Sequence, residues 1–303
     1  MPQTISLLGL NISLYYSFWL LGVVAVLILG YALGKHLGLS FAKSMLYVAG
    51  AVILGYLLLW GTSMIFNGGK VKGLNFIRIV AFMPISAYLL SRIFSGKFRT
   101  VLDYIAPLLA IFHGVTHLGC IFEGCCQGYP SDWGLYSNSV ETVCFPIQPI
   151  EAVSSILIGV VLSVMIIRKK QRGKLYAYYL ISYGVTRFLW EFLRDNEKIW
   201  WNISELALHA LIAALLGVVF LVVFSLTSEK QQETETQEKP QSDVLAYCAI
   251  AVVTLLFASF LVSGANQVAT MIAAIIIVVV IVASAILGLY KRWKHGKENA
   301  HKE

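Results

Sequence analysis

Apolar runs of about 20 residues, separated by short polar stretches, dominate the chain. Crossing about 30 Å of hydrocarbon takes a helix of roughly 20 apolar residues, so each run predicts a membrane span. Nine are read, at 14–33, 45–66, 76–94, 101–122, 149–167, 175–193, 203–224, 244–262 and 267–290. The fourth and sixth are the least apolar. One composition break stands out: Ser228 to Ser242 is polar, rich in Gln and Glu, and contains a proline, which reads as a disordered linker. The predicted fold is therefore all-α and polytopic. Residues 1–226 form a seven-span core, 227–243 the linker, and 244–303 a two-span hairpin with a basic tail.

Composition narrows the class. The 303 residues are 58% hydrophobic and 13% charged, with a mean hydropathy of +0.76. Soluble domains carry about 25% charged residues, and disordered chains are far less apolar, so both are excluded. A net charge of +7 and a pI near 9.1 would suit a nucleic-acid partner, but the basic residues cluster in the short connections between spans. That distribution is the positive-inside signal of a membrane protein, and no nucleic-acid partner is expected. With the N-terminus outside, 17 of the 23 Lys and Arg face the cytoplasm. Only Lys70, Lys72, Arg194 and Lys198 lie outside, while Arg78 and Arg187 fall within spans. The reading is N-terminus out, C-terminus in. Met1 to Ser13 has no basic segment or small-residue cleavage site, so the first span reads as retained.

Ionisable groups inside spans cost on the order of 2.5–3.5 kcal/mol each at mid-membrane, which makes them the places to look for chemistry. In this topology they gather at one level, near the outer face. Asn75 and Arg78 begin span three, and His113, His117, Cys120 and Glu123 lie toward the end of span four. Gln148 and Glu151 begin span five, and Arg187, Glu191, Arg194 and Asp195 close span six. At 100° per residue, Arg187, Glu191 and Arg194 share one helix face. Glu191 between two arginines is expected to pair with one and leave the other free for an anion. His113, His117 and Cys120 share a face as well.

The outer loop between spans four and five, 123–146, is long enough for a lid. Four of the five cysteines, Cys120, Cys125, Cys126 and Cys144, fall in or beside it. Facing an oxidising compartment, Cys125 or Cys126 is a candidate to bridge to Cys144. A metal set built from His113, His117 and these thiols is the sharper alternative, since HxxxH is a ligand spacing. The Glu of a zinc-protease HExxH is absent, however, because the stretch reads His-Gly-Val-Thr-His. Histidines bonded to neighbouring helices are the preferred reading, and no metal or cofactor is expected.

Several of these segments together resemble the prolipoprotein diacylglyceryl transferase family of bacterial membrane enzymes. Asp103-Tyr-Ile-Ala-Pro107 is similar to the family's DxxAP. His113 to Gly128 is similar to its GRxGN/C signature, in the form HxxGRxGCFxxGCCxG. Pro146-Ile-Gln-Pro-Ile-Glu151 resembles HPxQLYE, and Tyr183 to Arg194 resembles YGxxRFxxEFxR. The resemblance covers roughly residues 1–226. Four positions depart from it. The family's HGG histidine has no counterpart in Gly73-Leu-Asn-Phe-Ile-Arg-Ile-Val80; the signature Arg is His117 and the Asn form of the next position is Cys120; and Phe145 replaces the His before Pro146.

The resemblance implies transfer of the diacylglyceryl group of phosphatidylglycerol to the lipobox cysteine of a prolipoprotein signal peptide, at the bacterial inner membrane. Its chemistry requires a thiolate and a site for the leaving phosphate. On this reading Arg187 and Arg78 hold the phosphate, and Glu191 orients Arg187 and Arg194. His113 or His117 acts as base, His117 the weaker because of a neighbouring Arg. Gln148, Glu151 and Cys120 order the substrate site. The alternative is a homologue that has lost this chemistry and binds lipid or signal peptide, or modifies another acceptor. A transporter is disfavoured because the polar groups lie on one side.

Overall fold

A computed structural model describes residues 3–7, 10–66, 76–196, 198–200 and 203–226. Seven helices carry the architecture: α1 (Leu14–His36), α2 (Phe41–Phe66), α3 (Phe76–Ile93), α4 (Phe98–Glu123), α5 (Ile147–Ile167), α6 (Leu175–Glu191) and α7 (Glu205–Leu226). The linker and the two spans expected beyond it lie outside the described residues. Five of the seven helices, α1, α2, α4, α5 and α7, contain segments long and apolar enough to cross a membrane. The protein is a multi-pass membrane protein. Helices α3, with Arg78, Arg92 and an internal Pro84, and α6, only 17 residues long, are not among the five.

The all-α expectation needs correcting. Three antiparallel two-stranded hairpins accompany the helices, pairing β1 (Thr4–Leu7) with β2 (Leu10–Ser13), β3 (Pro130–Ser137) with β4 (Thr142–Cys144), and β5 (Lys198–Trp200) with β6 (Ile203–Ser204). Short hairpins satisfy backbone donors and acceptors where the chain turns before or between helices, and apolar run length, which locates spans, carries no signal for them. The register of β3 and β4 sets Tyr136 opposite Val143 and Ser137 opposite Thr142, with an irregularity between Pro130 and Leu135.

Helix α4 is the centre of the bundle and packs against α1, α2, α3, α5 and α6. Its side chains from Val101 to Leu108 are almost all buried. Helices α5 and α7 instead turn long aliphatic faces outward, Val153, Leu157, Val160 and Val164 on one, Leu208, Leu215, Val219 and Val222 on the other. Such faces suit lipid tails, which need no polar partner. Asp103, buried near the start of α4, tethers the far end of α6. Its carboxylate accepts the Leu175 backbone N–H at 2.8 Å and that of Gly173, filling donors that the first turn of a helix leaves unpaired. At Gly184 a Cβ would lie 2.7 Å from the Ala210 carbonyl and 2.6 Å from the Ala214 nitrogen, so only glycine lets α6 and α7 approach this closely.

Candidate functional site

Helices α4, α5 and α6 bring their costly side chains to one end of the bundle, around Glu151. Glu151 sits one turn into α5, 3% exposed. Its Oε2 accepts from Arg187 Nη1 at 3.1 Å and from Arg194 Nη2, and lies 3.1 Å from His117 Nε2. Its Oε1 makes no hydrogen bond and faces His113 Nε2 at 3.7 Å. Glu191, the last residue of α6, pairs with Arg187 Nη2 at 3.0 Å and lies 3.8 Å from Arg194 Nε. Ser204 donates to Glu191 Oε1 at 2.8 Å, and Asn196 donates to the same oxygen. Two guanidinium groups thus share two carboxylates in a nearly dry site. Buried ions are tolerated when they are paired and hydrogen-bonded in this way.

The expectation of one arginine left free is not met. Both are committed to carboxylates, because Glu151 arrives from α5 and doubles the negative charge that Glu191 alone would supply. Nor does the helix carry Arg194. Helix α6 ends at Glu191, and Arg194 lies beyond it in an isolated bridge to Gly128. A Cβ on Gly128 would lie 2.6 Å from the Phe145 carbonyl and 3.0 Å from that of Leu193, so a glycine is required for this crossing. Arg194, expected from sequence both as an outside charge and as a site residue, is 1% exposed and packs among the other charged groups of the cluster.

His113 and His117 stack one turn apart on α4, with ring centres 5.0 Å apart. Phe76, at the start of α3, stacks on His113 at 4.3 Å, and Tyr183 meets its ring edge-on. Helix α3 therefore contributes to the site through Phe76. Arg78 lies in α3, but its side chain, like Asn75 and the segment 67–75, falls outside the described residues. Ser155 Oγ bonds His113 Nδ1 at 3.0 Å. A tight cleft with no room for a water molecule is lined by His113, Glu151, Ser155, Tyr183, Arg187 and Trp190. His117 does not line it. Ser155 and Tyr183, missed from sequence, each lie four residues from a residue that was identified, Glu151 and Arg187, on the same helix face. Asn196 and Ser204 come from the connection after α6, where no periodicity marks them.

The loop after α4 closes over this end. Gln148 Nε2 donates to the Cys125 carbonyl at 3.1 Å, Ser139 Oγ donates to the Gly124 carbonyl at 2.6 Å, and the Tyr129 N–H reaches the Leu193 carbonyl. Cys120, Cys125, Cys126 and Cys144 are all free thiols. The bridge expected to Cys144 is not formed. Cys125 and Cys126 converge on Cys120, their sulfurs within 4.8 Å of one another, while the Cys144 thiol turns back toward the Thr142 carbonyl at 3.9 Å. Hydrogen bonds from the Cys120 and Cys125 thiols, helped by the Arg194 charge, hold the Cys126 thiol well below its ordinary value. His113, His117 and Glu151 also lie within ligand range of one another. Two guanidinium groups already occupy that carboxylate, so a cation there would meet like charge.

A profile described as prolipoprotein diacylglyceryl transferase matches residues 2–223. The chain belongs to that family. It is 25% identical over 249 residues to the phosphatidylglycerol–prolipoprotein diacylglyceryl transferase of Clostridium tetani, covering 76% of this chain and 99% of that protein. The protein of the same name from Legionella pneumophila (strain Lens) is 28% identical over 228 residues, 65% of this chain and 84% of its own length. That from Bordetella avium is 30% identical over 178 residues, covering 56% and 62%.

Proposed function

We propose that this transferase moves the diacylglyceryl group of phosphatidylglycerol onto the thiol of a lipobox cysteine in a prolipoprotein. The carbon–oxygen bond to the phosphate breaks, a thioether forms, and glycerol phosphate leaves with the electron pair. The observation that carries the reading is the buried cluster of two arginines, two carboxylates and two histidines within a chain of this family. The expected topology completes it: a seven-span core in the bacterial inner membrane with the N-terminus outside. The site end then faces outward, where a lipid headgroup and the outer end of a signal helix meet.

Arg187 is the phosphate ligand. It lines the cleft, and its guanidinium carries five N–H groups, of which Glu151 and Glu191 use one nitrogen edge each. The remaining donors are available to the phosphate, whose growing charge they stabilise as it departs. Arg78 is the second phosphate ligand by its place at the start of α3. Glu191 and Glu151 fix the guanidinium plane, and Arg194 holds Glu151 from behind. His113 is the base, because it alone of the two histidines reaches the cleft. With Nδ1 donating to Ser155, Nε2 presents its lone pair to the acceptor thiol. Glu151 Oε1 stands by to stabilise the imidazolium. Gln148, through its bond to the Cys125 carbonyl, and Cys120 order the substrate site.

Purified full-length protein, labelled phosphatidylglycerol and a lipobox peptide test this reading by peptide mass. A diacylglyceryl adduct on the Cys peptide and none on its Cys-to-Ser counterpart is the expected result. No adduct, beside an active family member in the same assay, would favour the homologue with altered chemistry.

A further inference from the structure

From the convergence of Cys120, Cys125 and Cys126 beside His117, we infer a site for a thiophilic divalent cation, zinc foremost, with the three thiols as its ligands and His117 as the nearest fourth donor. The three sulfurs lie within 4.8 Å of one another, and His117 Nδ1 lies 3.8 Å from Cys120 Sγ. Three thiolates and one imidazole are a ligand set that structural zinc adopts, with metal–ligand lengths of about 2.0–2.3 Å. On its far side the imidazole already has a partner, since His117 Nε2 accepts from Arg194 Nη2 at 2.9 Å. Zinc-bound histidines donate their other ring N–H to a carboxylate, which fixes the tautomer. Here His117 Nε2 faces Glu151 Oε2 at 3.1 Å. For Nδ1 to take the metal, Arg194 must release Nε2, which then carries a proton toward that oxygen.

Two further observations point the same way. Cys126 adopts φ of +59°, a left-handed conformation uncommon outside Gly, Asn and Asp. Backbone strain of this kind persists where surrounding structure demands it, and here it turns the Cys126 thiol into the cluster. Charge is balanced too. A divalent ion with three thiolates carries one net negative charge, and the Arg194 guanidinium contacts both Cys126 and Glu151. The thiol protons leave to solvent as the metal binds. The bound ion would staple the loop at 125–126 to the end of α4. Through the Gln148 bond to the Cys125 carbonyl, it would also hold the start of α5.

The full-length protein in detergent, purified without chelator, is expected to carry about one zinc per chain. Metal-stripped protein titrated with Co2+ is expected to show the near-ultraviolet thiolate-to-cobalt band and the intense visible bands of a tetrahedral ion. Cys125→Ser and Cys126→Ser should lose the charge-transfer band, His117→Ala should shift the visible bands, and Cys144→Ser should leave the spectrum intact. Glu151→Gln should weaken the metal about 10- to 100-fold. Wild-type protein that gives no thiolate–cobalt band, or whose Cys120, Cys125 and Cys126 are recovered zinc-free as a disulfide, would overturn the site. These readouts do not depend on transfer activity, so they stand apart from the functional assay.

Discussion

At the scale of single residues, Glu151 organises the site more than either arginine, because both guanidinium groups and both histidines converge on it. On the proposed mechanism Arg187 is nevertheless the group that meets the substrate. Replacing Arg187 by Ala should cut kcat by about 10²–10³, with Arg187→Lys recovering only part, since an ammonium cannot hold two carboxylates and a phosphate in one plane. Steady-state transfer to the lipobox peptide measures this. His113→Ala should lose about 10²–10⁴ in turnover; unchanged turnover would remove His113 from the mechanism. Arg187, Glu191, His113 and Glu151 were all legible in the sequence, because ionisable residues in apolar spans are conspicuous. Their pairing was not. The sequence places Glu191 between two arginines on one helix, whereas the decisive partner, Glu151, comes from another element. Arg194 was read as a face of α6, yet a single backbone bridge to Gly128 beyond the helix end sets its position.

Among the elements, run length located every described helix, including the two too short or too polar to be recognised by length and hydropathy. It could not show the three hairpins, whose pairing depends on residues that happen to meet across a turn. Nor could it show why α4 and α6 keep their relative heights. Asp103 does that, from the end of the bundle opposite the site. Asp103→Ala would leave two buried N–H groups without an acceptor, at about 1–3 kcal/mol each. Its thermal unfolding midpoint in detergent should fall clearly, with Asp103→Asn intermediate because one acceptor oxygen remains. Since Asp103 touches no residue of the Glu151 cluster, the loss should appear in stability before it appears in the affinity for lipid.

For the whole molecule, the bundle has a dry polar end and a lipid-compatible belt, and the proposed membrane orientation rests on charge placement alone. Asp132→Cys, on the exposed hairpin over the site, should react in intact cells with a membrane-impermeant maleimide. Lys170→Cys, at the opposite end, should react only after permeabilisation, with labelled positions assigned by peptide mass. The reverse pattern would invert the topology. A final consequence concerns α6. At 17 residues it measures about 25 Å, shorter than the roughly 30 Å hydrocarbon layer, and its site end carries Arg187 and Glu191. Where α6 spans the membrane as proposed, the bilayer beside it must thin to match its length, and the distortion costs more as the bilayer thickens. Acyl-chain length should therefore act as a rheostat on this enzyme, its transfer rate falling stepwise in proteoliposomes as the matrix lipid is lengthened at constant headgroup and fluidity.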